Sequence, residues 1–93
     1  MNRKIYDEIK VKHVKLFDTH TMLITFTNNE KRLFDMYDLL DRDAFEPLES
    51  LANFKTGEVA NGTVQWMNGE IDIAPQTLYQ LSYEYDDSDI VTA

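Results

Sequence analysis

The chain has 93 residues, no cysteine and a formal net charge of −8 at pH 7. That length fits one domain, and 43% hydrophobic residues supply a modest core. The missing cysteine excludes disulfides, thiolate metal sites and cysteine nucleophiles and fits a reducing cytoplasm, and no apolar run exceeds three residues, so no membrane span or signal segment is expected.

The charge is uneven. Residues 1–15 hold Arg3, Lys4, Lys10, Lys12 and Lys15 against Asp7 and Glu8, a net +3, so the rest carries −11. A body this acidic repels phosphate backbones, and nucleic acid is not expected as a direct ligand. The lysines read first as protection of an edge strand against pairing with other sheets, and second as a contact for an acidic partner.

In chain order, Ile9 and Val11 alternate, and Val14 and Leu16 alternate in the opposite phase. The slip predicts a β-bulge near Lys12 and His13. After a turn over 18–21, Met22, Ile24 and Phe26 face one way, opposite Leu23 and Thr25. Asn28-Asn29 turns the chain into a third strand over 31–35, completing a meander. Asp38 and Asp43 are expected N-caps of short helical turns that carry Leu39, Leu40, Phe45, Leu48 and Leu51, and Pro47 prevents one long helix. A strand is expected over 54–59. Asn61-Gly62 and Asn68-Gly69 predict two-residue hairpin turns around strands at 63–66 and 70–73. Pro75 opens a helix expected to end near Tyr85, with Asp72 placed to cap it. Residues 1–85 then form one domain and 86–93 an acidic, frayed tail. The predicted core is Val11, Val14, Leu16, Ile24, Phe26, Phe34, Leu40, Phe45, Leu48, Phe54, Val64, Ile71 and Leu78, the apolar member of each alternating or helical face.

Few residues offer chemistry. His13 and His20, with Asp18 near, match no metal-ligand spacing, and surface or packing roles account for them. Asp35 and Asp72 would make an acid/base pair if their strands converged, but capping alone explains both placements. Trp66 would stack on a ligand if exposed; beside Val64 and Ile71 it reads as core. Ser50, Ser82 and Ser88 lack a nucleophile-elbow context, and three glycines, two of them in Asn-Gly turns, leave nothing for a phosphate loop. No cofactor is implied. Tyr79, Tyr83 and Tyr85 would mark an interface if two or more were exposed. If the strand over 54–59 is an edge, Lys55 and Glu58 are its only charged protection, and it is the expected docking strand for a partner or a second copy, together with nearby tyrosines.

The motif Trp66-x-x-Gly69-x-Asp72-Ile73-x-Pro75-x-x-Leu78-Tyr79 is the most specific feature of the chain. With Leu33, Asp35, Leu39-Leu40, Phe45, Leu48 and Phe54 before it, the chain resembles a family of small bacterial domains catalogued as domain of unknown function 2442. Asn28-Asn29-Glu30 departs from the pattern, which has Asp-Gly at the first polar turn. The resemblance implies no activity. Some members of that family are fused to a helix-turn-helix, and some are encoded beside a small toxin-like protein.

The expected fold is α+β, a small antiparallel sheet of a meander plus Asn-Gly hairpins, covered by short helices and a C-terminal helix. The expected function is a non-enzymatic protein-interaction module of a bacterial cytoplasm, the regulatory or neutralising half of a two-gene pair. The alternative is a small-ligand-binding or enzymatic domain using Asp35, Trp66 and Asp72. The candidate surface residues are Asp35, Trp66, Asp72, Tyr79 and Tyr83.

Overall fold

Strand periodicity organises the first half of the molecule. The computed structural model describes residues 9–84. Strands β1 (Val11–Leu16), β2 (Thr21–Phe26) and β3 (Lys31–Asp35) form an antiparallel meander. Met22, Ile24 and Phe26 are buried at every second position, as the pleat requires. The expected bulge is present: the register of β1 against β2 steps from Val11 opposite Phe26 to His13 opposite Thr25, leaving Lys12 unpaired in the ladder. The extra residue restores Val14 and Leu16 to the same face as Val11.

The turns of the meander place residues in the left-handed region. His20 (φ 61°) ends the β1–β2 loop and Asn29 (φ 70°) ends the β2–β3 loop. Asn tolerates this conformation, so Asn29 does the work of a glycine in a three-residue hairpin loop. Its N–H donates to the Phe26 carbonyl at 2.8 Å.

The middle of the chain is tightly wound. Short 3-10 segments cover Met36–Asp38 and Asp43–Glu49, and helix α1 is a single turn, Leu51–Phe54. Asp35 caps the first segment as expected, accepting from the Tyr37 N–H, but the caps expected at Asp38 and Asp43 are not observed: Asp38 lies inside the first segment, and Arg42 precedes the second with no side-chain cap bond. Ser50 caps α1, accepting from Asn53 N–H at 3.3 Å.

A second antiparallel sheet comprises β4 (Glu58–Ala60), β5 (Thr63–Trp66) and β6 (Ile71–Ile73) in that order. The strand expected over 54–59 is therefore corrected. Phe54 closes α1 and is fully buried, Lys55 and Thr56 form a turn, and pairing begins only at Glu58. Leu51 and Phe54 follow helical spacing, which a four-residue helix is too short to display as a repeat. Ala60 pairs with Thr63, so Asn61-Gly62 is the two-residue turn expected, with both φ values positive. Trp66 pairs with Ile71, which leaves a four-residue loop rather than an Asn-Gly turn. Met67, Asn68 and Gly69 all have positive φ there.

Helix α2 is Pro75–Leu81, with proline at its start. It stops four residues short of Tyr85. Ser82 is extended (φ −85°, ψ 166°), and β7 (Tyr83–Glu84) joins the first sheet beside β3, giving the order β1-β2-β3-β7. The apparent helical spacing of Tyr79 and Tyr83 thus spans a helix and a strand. Tyr85, the tail over 86–93 and the first part of the basic segment lie outside the described residues.

One core joins the two sheets: Met22, Ile24, Phe26 and Phe34 from the first, and Val64, Trp66, Ile71 and Ile73 from the second, with Leu48, Phe54 and Leu78 from the helical segments. Ten of the thirteen predicted core residues are buried, and Val14, Leu16 and Phe45 pack half-buried against them. Among the described residues no helix is long and apolar enough to cross a membrane.

Candidate functional site

The residues singled out from sequence do not converge. Trp66 is fully buried; its indole stacks near Phe54 with ring centroids 6.4 Å apart, and its Nε1–H has no partner among the described residues. It is core and offers no surface to a ligand. Asp35 is half-buried at the end of β3, with Oδ1 accepting from Tyr37 N–H at 3.0 Å. Asp72 is exposed on β6, in the other sheet.

Asp72 does not cap α2. Ile71 and Ile73 point into the core, so the pleat turns Asp72 outward. The cap residue is Ala74, without a side-chain cap bond. Thermal melts should therefore separate the two acids. Asp35→Ala is expected to cost about 0.5–2 kcal/mol, as lost caps do. Asp72→Ala should fall within about 0.5 kcal/mol of wild type, as exposed substitutions do. A large loss at Asp72 would contradict its outward placement.

Tyr79 belongs to a polar clamp rather than an open face. Its hydroxyl donates to Glu30 Oε2 at 2.8 Å, and its ring meets Phe26 edge-on at 5.1 Å. The Arg32 guanidinium stands 4.7 Å from the ring centroid. Arg32 also donates to the Ser82 hydroxyl at 2.7 Å, the Ser82 carbonyl at 2.9 Å and Glu30 Oε1 at 3.2 Å. Burial, then the hydrogen bond to the Glu30 carboxylate, push the Tyr79 phenol above its ordinary value. The clamp holds the end of α2 against β3 and sets up the pairing of β7.

Tyr83 is different. It is 57% exposed, and its hydroxyl lies 3.4 Å from Asp38 Oδ2, the weakest contact of this corner. Asp38 follows Tyr37, which is 61% exposed. Two exposed tyrosines are therefore tied to this corner, Tyr83 through its contact with Asp38 and Tyr37 as the residue before Asp38 in the chain. Beside them Tyr37, Leu40, Asp41 and Glu49 line a cleft of about 390 Å³. The sequence singled out Tyr83, which is exposed, and not Tyr37, Asp41 and Glu49, which line the cleft. An aromatic flanked by acids in the run Asp35-Met36-Tyr37-Asp38 was the available signal.

The cleft wall is braced from behind. The His20 ring lies 5.2 Å from Tyr37 and 5.1 Å from Phe54, centroid to centroid. Its Nε2 is 3.1 Å from both the Leu48 and Glu49 carbonyl oxygens. Both partners only accept, so Nε2 carries the proton and donates. His13, by contrast, is exposed on β1. Among the described residues no cluster of three or more His, Asp or Glu side chains is placed to hold a metal.

The strand expected as a docking edge is β4, and it does not share a surface with the tyrosines. β4 and β5 pack against β1, and the Val11 N–H donates to Gly62 O at 2.8 Å. Tyr83 lies on β7, at the opposite edge of the first sheet. Thr56, which precedes β4, is held in the turn instead, its hydroxyl donating to Asn53 O at 2.7 Å.

No curated protein and no solved structure matches the chain significantly. A family model described as a protein of unknown function, DUF2442, matches residues 11–84, from the first residue of β1 to the last of β7. With the whole two-sheet unit covered, the chain belongs to the DUF2442 family.

Proposed function

We propose that the chain is a protein-interaction module of a bacterial cytoplasm, acting without catalysis as the regulatory or neutralising half of a two-gene pair. The observation that carries this reading is the pair of exposed tyrosines, Tyr37 lining the cleft with Leu40, Asp41 and Glu49, and Tyr83 in contact with Asp38, the residue after Tyr37. Tyrosine brings large, stiff contact area with a polar tip, and it is enriched where proteins meet. The ligand-binding or enzymatic alternative draws less support, because Trp66 is buried and Asp35 and Asp72 lie in different sheets. The acidic body also argues against nucleic acid as the direct ligand.

The test compares wild type with the double variant Tyr37→Ser/Tyr83→Ser, both tagged and recovered from the chain's own host. Both side chains are exposed, so the fold should survive, which circular dichroism checks. A protein retained by wild type and lost from the variant is the expected result. Equal retention by both, or no protein specific to wild type, would sink the reading.

A further inference from the structure

The acids of this chain divide into those with partners and those without. Asp18 is paired with Lys55, Glu30 with Arg32 and Tyr79, and Asp35 with a backbone N–H; Glu58 accepts from Gln65. Asp41 and Glu49, both lining the cleft, accept no hydrogen bond and form no ion pair through their side chains among the described residues. Both are exposed. Between residues 35 and 49 there are six acids and a single cation, Arg42. The third wall of the cleft is the exposed Tyr37 ring, fixed from behind by His20.

We infer that this cleft receives an arginine side chain from a cationic segment of a partner protein, its guanidinium stacked on Tyr37 and bonded to the Asp41 and Glu49 carboxylates. This rests on the interaction reading above. A planar guanidinium can stack on an aromatic ring while its fork of N–H groups reaches carboxylates at the rim, whereas an ammonium is a point charge without the planar face or the bidentate fork. The same chemistry is already used inside the molecule, where Arg32 lies over Tyr79 and donates to Glu30. A second copy of this chain is the weaker occupant. Its basic segment over residues 1–15 carries four lysines and a single arginine, Arg3, and two copies at −8 repel. A cationic partner is instead drawn in by the long-range field, which raises its association rate.

The probe is blocked hexa-arginine titrated into the isotope-labelled chain and followed by amide chemical shifts, with hexalysine as the control of equal charge. Shifts concentrated at Tyr37, Leu40, Asp41 and Glu49 are expected, with hexalysine weaker. Tyr37→Ser and the pair Asp41→Asn/Glu49→Gln should each weaken hexa-arginine about fivefold or more at low salt. Shifts spread evenly over Glu58, Glu70 and Asp72, no localised shift at millimolar peptide, or equal binding of the two peptides would each overturn the inference. The host partner separates the two readings. If it is lost from the tyrosine variant but kept by Asp41→Asn/Glu49→Gln, the interaction module stands and the arginine site falls. A wild-type dimer in light scattering that Asp41→Asn/Glu49→Gln dissociates would make the occupant a second copy and overturn the cationic partner.

Discussion

Trp66→Ala is expected to lower stability by about 3–5 kcal/mol, the usual cost of emptying a large aromatic site in a packed core. A chain of this size has a total stability of about 5–15 kcal/mol, so the variant is left at the margin of folding. Trp66 is fully buried at the end of β5, in contact with Phe54 and the turn before β4. Its neighbour Gly57 explains how the indole fits. A Cβ on Gly57 would stand 2.6 Å from Trp66 Nε1 and 2.8 Å from Leu16 Cδ2. Leu16 is half-buried and its methyl group can swing aside, whereas the buried indole has no room to retreat. The backbone at 57 approaches the ring closely because nothing projects from it.

Gly57→Ala should therefore cost about 1–3 kcal/mol by overpacking. The cause is testable by a double-mutant cycle with Trp66→Leu, whose side chain leaves the Nε1 position empty. In that background the added methyl group should cost little, giving a coupling of about 1–2 kcal/mol between two residues in contact. Additive losses in urea melts would instead place the strain on Leu16 or on the backbone of the turn.

The same residue shows what sequence could and could not say. Val64 and Trp66 lie on one face of a strand by simple alternation, so burial of Trp66 beside Val64 was readable. The phase slip between Val11 and Val14 revealed the bulge, because a one-residue shift moves apolar side chains off the core face. The Asn61-Gly62 turn was readable because only a few residue types accept two successive positive φ angles. Asn68-Gly69 misled for the same reason. Asn and Gly do take left-handed conformations there, but within a longer loop that Met67 also enters with φ 56°. The end of α2 was hidden because Tyr83 fits both a helix continued from Tyr79 and a strand paired with Leu33. Tertiary pairing, and the capture of Ser82 by Arg32, decided between them. The cleft was the least legible part. Tyr37 and Glu49 are twelve positions apart and are joined by two 3-10 segments, which have no hydrophobic period long enough to read.

The second large effect is expected at His20, where the brace behind that cleft can be removed. His20→Ala should cost about 2–4 kcal/mol, since it deletes a buried ring, leaves two carbonyl oxygens without their donor and keeps a side chain at positive φ. The structural reasons are separable. His20 is buried, its Nε2 bridges Leu48 O and Glu49 O, and its own carbonyl accepts from Met36 N–H at 3.0 Å, so one residue ties the β1–β2 loop to both 3-10 segments. At φ 61° alanine is strained by about 1 kcal/mol or more, while glycine is not. His20→Gly should thus be more stable than His20→Ala, the reverse of their order in ordinary helix or strand positions. Asparagine tolerates the left-handed region and keeps an N–H donor, so His20→Asn should be the mildest of the three. Thermal unfolding of the set reads these apart. If alanine proved as stable as glycine, backbone strain would contribute nothing, and if all three matched wild type the brace would not exist. The effect should also reach the surface. Tyr37 leans on the His20 ring, so even the folded His20→Asn chain should hold hexa-arginine more weakly than wild type, although residue 20 is buried and does not line the cleft.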